Sequence, residues 1–295
     1  MESTTELLAA LIAPLARQEG LNATHLEAVR LIRTSESQPR APIVYEPGII
    51  IVAQGRKRVF LGEQALSYDP NNYLVLSVPL PLECETIASP EAPLLAVSIR
   101  TDPAQLGELL IEMEDEEPGP GLVQGIYATA LTEDLACATQ RLLECLAAER
   151  DSRILGPSIV REILYRVLCG EQGGALRAVA ARHGRFGQIA RVLKHLHSSY
   201  AEEQDIESLA RAANMSVSNF HHSFKAVTST SPLQYLKSLR LHKARVLMHQ
   251  QGLSAAAAAD RVGYASASQF SREFKRFFGS SPAADAALPR SAQAA

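Results

Sequence analysis

Asp205-Ile206-Glu207-Ser208-Leu209-Ala210-Arg211-Ala212-Ala213-Asn214-Met215-Ser216-Val217-Ser218-Asn219-Phe220-His221-His222-Ser223-Phe224 decides the reading of this chain, because the same pattern returns further on. Ile206, Leu209, Ala210 and Ala213 fall at offsets 0, 3, 4 and 7, the buried stripe of a short helix. Asp205 stands where an N-cap belongs, Asn214-Met215 breaks the helix, and Ser216 caps a second one whose stripe is Val217, Phe220 and Phe224. The copy begins at Ser254. Ala255, Ala258, Ala259 and Val262 form its first stripe, and Gly263-Tyr264-Ala265 is a turn one residue longer. Ser266 caps a helix with Ala267, Phe270 and Phe274 inside, and Ser266-x-x-Gln269 has the form of a capping box. Each copy reads as helix, tight turn, capped helix, with the small Ala210 and Ala259 letting the paired helices approach closely.

Between the copies, Ser231-Pro232 starts a further helix expected to run to about Met248, roughly 25 Å at ~1.5 Å per residue. Tyr235, Leu239 and Val246 supply its apolar face, and Lys237, Arg240, Lys243 and Arg245 its basic one. Such a rod would hold two helix-turn-helix units apart. The second helix of each unit, near 216–225 and 266–277, turns polar groups outward: Ser216, Ser218, Asn219, His221, His222 and Lys225, then Ser266, Ser268, Gln269, Arg272 and Lys275 (Ser271 shares this outward face). Arginine can pair with guanine, glutamine or asparagine with adenine, and serine with base edges or phosphates. Helix N-termini and flanking lysines neutralise phosphate charge.

Charge points the same way. From Arg177 to Pro282 there are 15 Lys+Arg and 6 Asp+Glu, a balance of +9, while the rest of the chain sums to −12. One half is therefore suited to a polyanion and the other is not. Seven of the eight histidines also lie in the basic segment.

The 295 residues suffice for two domains. Met1 to about Leu31 reads as helical, and its apolar Leu7–Ala16 follows Glu2 and Glu6 rather than the positive charge of a signal peptide. No apolar run is long enough to span a bilayer. Ile49-Ile50-Ile51-Val52, the alternation of Val59, Leu61, Leu66 and Tyr68, and the runs 73–78 and 94–99 read as short strands of an antiparallel sandwich or barrel. Glu114–Gly121 marks a loop; helices are expected over 131–148 and 157–169, with joints at Gly170–Gly174 and His183-Gly184. The expected division is 1–176 for an N-terminal effector or dimerisation domain, 186–284 for the helix-turn-helix domain, and 285–295 for a disordered tail.

These residues resemble the AraC/XylS family of bacterial transcription regulators. The resemblance is carried by Leu209–Ser216, by Ser231–Leu236 with Arg240-Leu241, and by Arg261–Arg276 with Phe278-Gly279. It implies base contacts at Ser218, His221 and His222 in the first recognition helix and at Ser268, Gln269 and Arg272 in the second. Short Ser218 and two histidines stand where family members often carry longer polar or basic groups. Tyr45-Glu46-Pro47, Gln54–Arg58, Leu61-Gly62, Tyr68–Pro70 and Tyr73–Pro81 are similar to an AraC-type N-terminal domain. That likeness implies a cupin-like β-barrel with flanking helices, joined to an all-α domain of two helix-turn-helix units and a long linker helix. The expected partners are double-stranded promoter or operator DNA, an unknown small-molecule effector, a second copy in a homodimer and RNA polymerase as a further candidate; the expected place is the bacterial cytoplasm, with no membrane.

Rival readings are weaker. A cupin-type metal enzyme needs two or three histidines, and residues 1–176 hold only His25, so no metal, catalytic residue or cofactor is expected. A non-specific architectural DNA binder would show a large salt slope without sequence preference. Cys84, Cys137, Cys145 and Cys169 make no C-x-x-C pair. Arg56 and Arg58, in the basic run Arg56-Lys57-Arg58, and Cys84 are effector candidates; against them stand a solvated strand edge and, beside the acidic Glu83 and Glu85, an inert thiol.

Overall fold

A computed structural model of the chain describes residues 4–61, 64–113, 124–180 and 184–287. It opens with α1 (Thr4–Ile12), β1 (Gly20–Ala23), β2 (Val29–Thr34), β3 (Gln38–Tyr45), β4 (Gly48–Gln54), β5 (Arg56–Leu61) and β6 (Gln64–Tyr68). Then come β7 (Asn72–Leu76), β8 (Leu80–Ile87), β9 (Leu94–Arg100), α2 (Pro103–Glu112) and β10 (Ile126–Ala130). The helices α3 (Glu133–Leu146), α4 (Glu149–Cys169) and α5 (Gly174–Ala180) complete this half. The second half is helical: α6 (Arg185–Ser198), α7 (Ile206–Ala212), α8 (Val217–Thr228), α9 (Pro232–Gln251), α10 (Ala255–Arg261), α11 (Ala267–Phe278) and α12 (Pro282–Ala286).

The strands form two antiparallel sheets, one in the order β1-β2-β9-β4-β7-β10 and one in the order β3-β8-β5-β6. Hydrophobic pattern explains which sheet lies where. Along β4 every residue from Gly48 to Ala53 is buried, because the larger sheet is covered on both faces. Ile50, Val52, Leu74 and Ala96 face the smaller sheet, while Ile49, Ile51, Val75 and Val97 face α1, α3 and α4. Along β5 burial alternates, with Lys57, Val59 and Leu61 inward and Arg56 and Arg58 outward, as in a sheet with one wet face.

Two elements differ from the sequence expectation. The segment 1–31 is not one helix: α1 stops at Ile12, ahead of Pro14, whose ring and missing N–H oppose a further turn. Gly20 then adopts φ 83°, and the alternating Val29-Arg30-Leu31 enters β2 opposite β9. Helix α4 starts at Glu149, not at Pro157. Glu149 and Asp151 favour its N-terminus, and Pro157 sits on the exposed side, where the carbonyl it leaves unpaired meets water. The expected loop Glu114–Gly121 and joint residue His183 lie outside the described residues. At the other end, order continues past residue 284. Asp285, in α12, is 1% exposed and accepts from Arg245 Nε at 2.9 Å while bonding His249 Nε2 at 2.8 Å, so the start of the expected tail is part of the fold.

Candidate nucleic-acid interface and interdomain cavity

Both helix-turn-helix units form from the predicted caps. Asp205 accepts the N–H groups of Glu207 and Ser208, and Ser216 that of Asn219 at 3.4 Å. Ser254 caps α10 through Ala257 N–H and Ser266 caps α11 through Gln269 N–H, at 3.2 and 3.3 Å. The capping box is not closed: the Gln269 amide donates to Glu273 instead, at 3.3 Å. The turns differ in chemistry. Asn214 takes φ 52° in the first unit, and Gly263 φ 83° in the second. A Cβ on Gly263 would lie 2.1 Å from the Ala201 carbonyl oxygen, so only glycine fits.

The outward faces are as expected. Ser216, Ser218, His221, His222 and Lys225 on the first unit, and Ser266, Ser268, Gln269, Arg272 and Lys275 on the second, are exposed; Asn219 is half-buried. Phe220 and Phe224 on the one helix, and Phe270 and Phe274 on the other, are fully buried. Neither α8 nor α11 carries an acidic residue in its first turn, which leaves both positive helix ends open to phosphate.

Helix α9 joins the units over 20 residues, and its basic side chains serve the protein first. Arg240 donates to the backbone carbonyls of Tyr200, Glu202 and Gly263, which ties the linker helix to both units. Lys237 pairs with Glu273 at 3.1 Å, and Tyr264 donates to the same carboxylate at 2.9 Å. Burial opposes the charge of Glu273, but the bonds from Lys237, Tyr264 and Gln269 outweigh it and hold the carboxyl below its usual range.

The first unit is also fused to the barrel. The Tyr235 hydroxyl donates to the Pro79 carbonyl at 2.7 Å. With that proton committed, the neutral His197 ring must donate from Nε2 to the Tyr235 oxygen, 2.8 Å away. Burial, with Lys243 nearby, pushes the His197 pKa down to about 4. Gly125 N–H donates to the Val227 carbonyl near the end of α8, at 3.0 Å. No sequence signal marks these contacts, since they join segments 38 to 156 residues apart.

Between the barrel and α9 lies a cavity of ≈ 700 Å³. Ile32, Ile50, Tyr45 and Lys57 form its inner wall, and His242, Lys243, Arg245 and Val246 of α9 form its roof. Arg100, paired with Glu27 at 2.9 Å, stands at its edge. The effector candidates fall elsewhere. Arg56 points outward and pairs with Asp69 at 3.5 Å, and Arg58 pairs with Glu85 at 3.2 Å. Cys84 is buried in the barrel with its Sγ 3.4 Å from the Tyr45 hydroxyl. The inward residue of the basic run is Lys57, which the alternation of β5 could have revealed.

The sequence profile described as the AraC-type transcriptional regulator N-terminus matches residues 25–175, and a helix-turn-helix domain profile matches 209–286. The regulator ExsA of Pseudomonas aeruginosa is 27% identical over 195 residues, 64% of this chain and 66% of that protein. The activator RclR of Escherichia coli, specific for RCS, is 42% identical over 77 residues, 26% of this chain and 27% of that protein. The chain thus spans between about a quarter and two thirds of these relatives' lengths. A crystal structure of ToxT from Vibrio cholerae bound to an unsaturated fatty acid aligns with 88% of this chain and 93% of its own, with TM-score 0.59 and 10% identity, a likeness of fold.

Proposed function

Because the chain belongs to the AraC/XylS family of DNA-binding transcription regulators, we propose that it reads two successive major grooves of a promoter with α8 and α11, and that a small molecule in the interdomain cavity controls this reading. The observation that carries the first part is the repeated capped helix with a buried Phe pair inside and bare polar groups outside. Docked side by side, the two helices would address sites one helical turn, ~34 Å, apart. His221, His222, Ser218 and Asn219 would work in one groove and Arg272, Gln269 and Ser268 in the other. Ser216, Ser266, Lys225 and Lys275 would hold phosphates.

Random duplex DNA selected on the full-length protein should yield a bipartite motif with centres one turn apart. Arg272→Ala should then lose about 1–3 kcal/mol of affinity and relax base choice at one position. Selection without enrichment, or an unchanged preference in the variant, would refute the docking. A steep salt dependence without sequence preference would instead favour an architectural binder.

The cavity supports the second part by its position. It touches barrel and linker helix together, so an occupant can bias how they pack. Its mixed apolar and cationic walls suit a small apolar molecule with one polar group, a class to which the fatty acid of ToxT belongs. The chain acts as a regulator rather than an enzyme, and it works in the cytoplasm, where promoter DNA and RNA polymerase are. No helix among the described residues is long and apolar enough to cross a membrane. A homodimer is the expected assembly: α4 leaves Ile154, Leu155 and Tyr165 exposed at 65, 51 and 45%. A monomeric sedimentation coefficient with and without DNA would remove that part.

A further inference from the structure

We propose that the interdomain cavity takes an aliphatic carbonyl compound, an aldehyde or ketone, and holds it as an imine on Nζ of Lys57. The proposal rests on the effector reading above and names the ligand chemistry that reading leaves open.

Lys57 is 1% exposed, while its neighbours Arg56 and Arg58 point to solvent. Lysine normally lays its stem on apolar surface and keeps its head in water. Here the pleat of β5 carries the whole side chain into the barrel, opposite Tyr68 on one side and Thr86 on the other. Among the described residues no carboxylate forms an ion pair with it, and a lone buried ammonium is strongly disfavoured. Burial therefore lowers its pKa and favours the neutral amine. A lysine whose amine form burial favours, at the wall of a cavity, is a nucleophile towards carbonyl carbon.

The surroundings supply a proton path. Lys57 Nζ donates to the Tyr45 hydroxyl oxygen at 3.3 Å. That oxygen lies 3.0 Å from the Tyr68 hydroxyl and 3.4 Å from Cys84 Sγ. Burial raises both phenols, so each keeps its proton. In the reaction the Nζ lone pair forms a bond to the carbonyl carbon and the C=O π pair moves to oxygen. A proton leaves nitrogen and one reaches that oxygen, through Tyr45, to give a carbinolamine. The hydroxyl then takes a second proton and departs as water, while nitrogen loses its remaining proton and the C=N bond forms. Amine and carbonyl give imine and water, and no other reactant is needed. The ≈ 700 Å³ cavity leaves room for an alkyl chain running from Lys57 towards Lys243 and Val246 on α9.

The test treats the full-length protein with hexanal and sodium cyanoborohydride and maps the modified lysine by mass spectrometry. Lys194, Lys225, Lys237, Lys243 and Lys275 are internal controls. One hexyl group per chain is expected at Lys57, formed faster than at Lys237 and the other control lysines. Lys57→Arg, which cannot form the imine, should abolish it; should that variant misfold, Lys57→Met serves, and the wild-type map stands without either. Label on the surface lysines or Lys243 in preference to Lys57, or no label at all, overturns the imine. In that event, hexanol or hexanoate raising Tm or changing DNA affinity would leave the effector cavity standing. If neither these nor hexanal shifts Tm or DNA affinity, the effector reading falls as well.

Discussion

The two helix-turn-helix units share a sequence pattern but not a core. Leu209, Phe220 and Phe224 of the first unit, with Tyr235 of α9, belong to the same continuous cluster as Val78, Leu80 and Leu82 of the barrel. Phe270, Phe274, Ala258 and Val262 of the second form a separate cluster with Leu241, Ala244 and Met248 of α9, and Tyr200 packs against it. The first unit thus shares the core of the N-terminal half, whereas the second has its own small core on the far end of the linker helix and meets the barrel where α11 approaches β3. The cavity roof, His242 to Gln250, is that far end. An occupant would therefore press on the helix that carries the second unit, while the first stays seated on the barrel. Under the proposed effector control, the second recognition helix is the one whose position a ligand would change.

The sharpest way to break this comparison is to open each core in turn. Phe224→Ala and Phe274→Ala should each cost about 3–5 kcal/mol. In hydrogen exchange, Phe224→Ala should loosen β8 together with α8, whereas Phe274→Ala should loosen α10 and α11 and spare the barrel. Identical exchange patterns would dissolve the distinction. Gly263→Ala should follow, at about 2–3 kcal/mol, from its left-handed backbone and the approach of Ala201. Its effect on DNA binding should concentrate on the second half-site.

Tyr235→Phe should cost about 1–2 kcal/mol, because it removes the bond to Pro79 and leaves His197 without an acceptor. It should loosen the first unit from the barrel without changing base preference. Protonation gives the smallest expected effect. Burial lowers His197 to about 4 and His242 to about 3, so both are neutral in the folded chain. Unfolded histidine titrates near ~6.5. The stability from keeping them neutral is complete above that value and is lost as pH falls from there towards 4 and 3. Between pH 7 and 5.5 the loss should be about 1 kcal/mol per histidine. His197→Gln should flatten the slope of Tm against pH, and an unchanged slope would remove this histidine from the account.

The legible part of the molecule was local. Stripes at offsets 0, 3, 4 and 7, the serine and aspartate caps, and the glycine turn all lie within a few residues of what they specify, so α7, α8, α10 and α11 could be read directly. The exposed face followed from the buried one. Where local signals compete, reading failed: the apolar 1–31 segment mixes a helix with two strands, Pro157 opens a helix in most settings but sits inside this one, and Gln269 prefers Glu273 to its capping partner. Pairing of β2 with β9 decided the first case, while the acidic Glu149 and Asp151 and the intrahelical Glu273 decided the other two.

By itself, then, the sequence determined that two capped helix pairs exist, which side chains they expose, and that an antiparallel β domain precedes them, because periodicity and capping are short-range physics. Only the tertiary structure decided that the first pair shares its core with the barrel, that Arg240 staples three loop carbonyls, and that Lys57 faces a cavity with Tyr45, Tyr68 and Cys84 around it. Those facts depend on strand register and on contacts between residues far apart in the chain, and a one-residue slip of β5 would have sent Lys57 to solvent and its arginine neighbours inward.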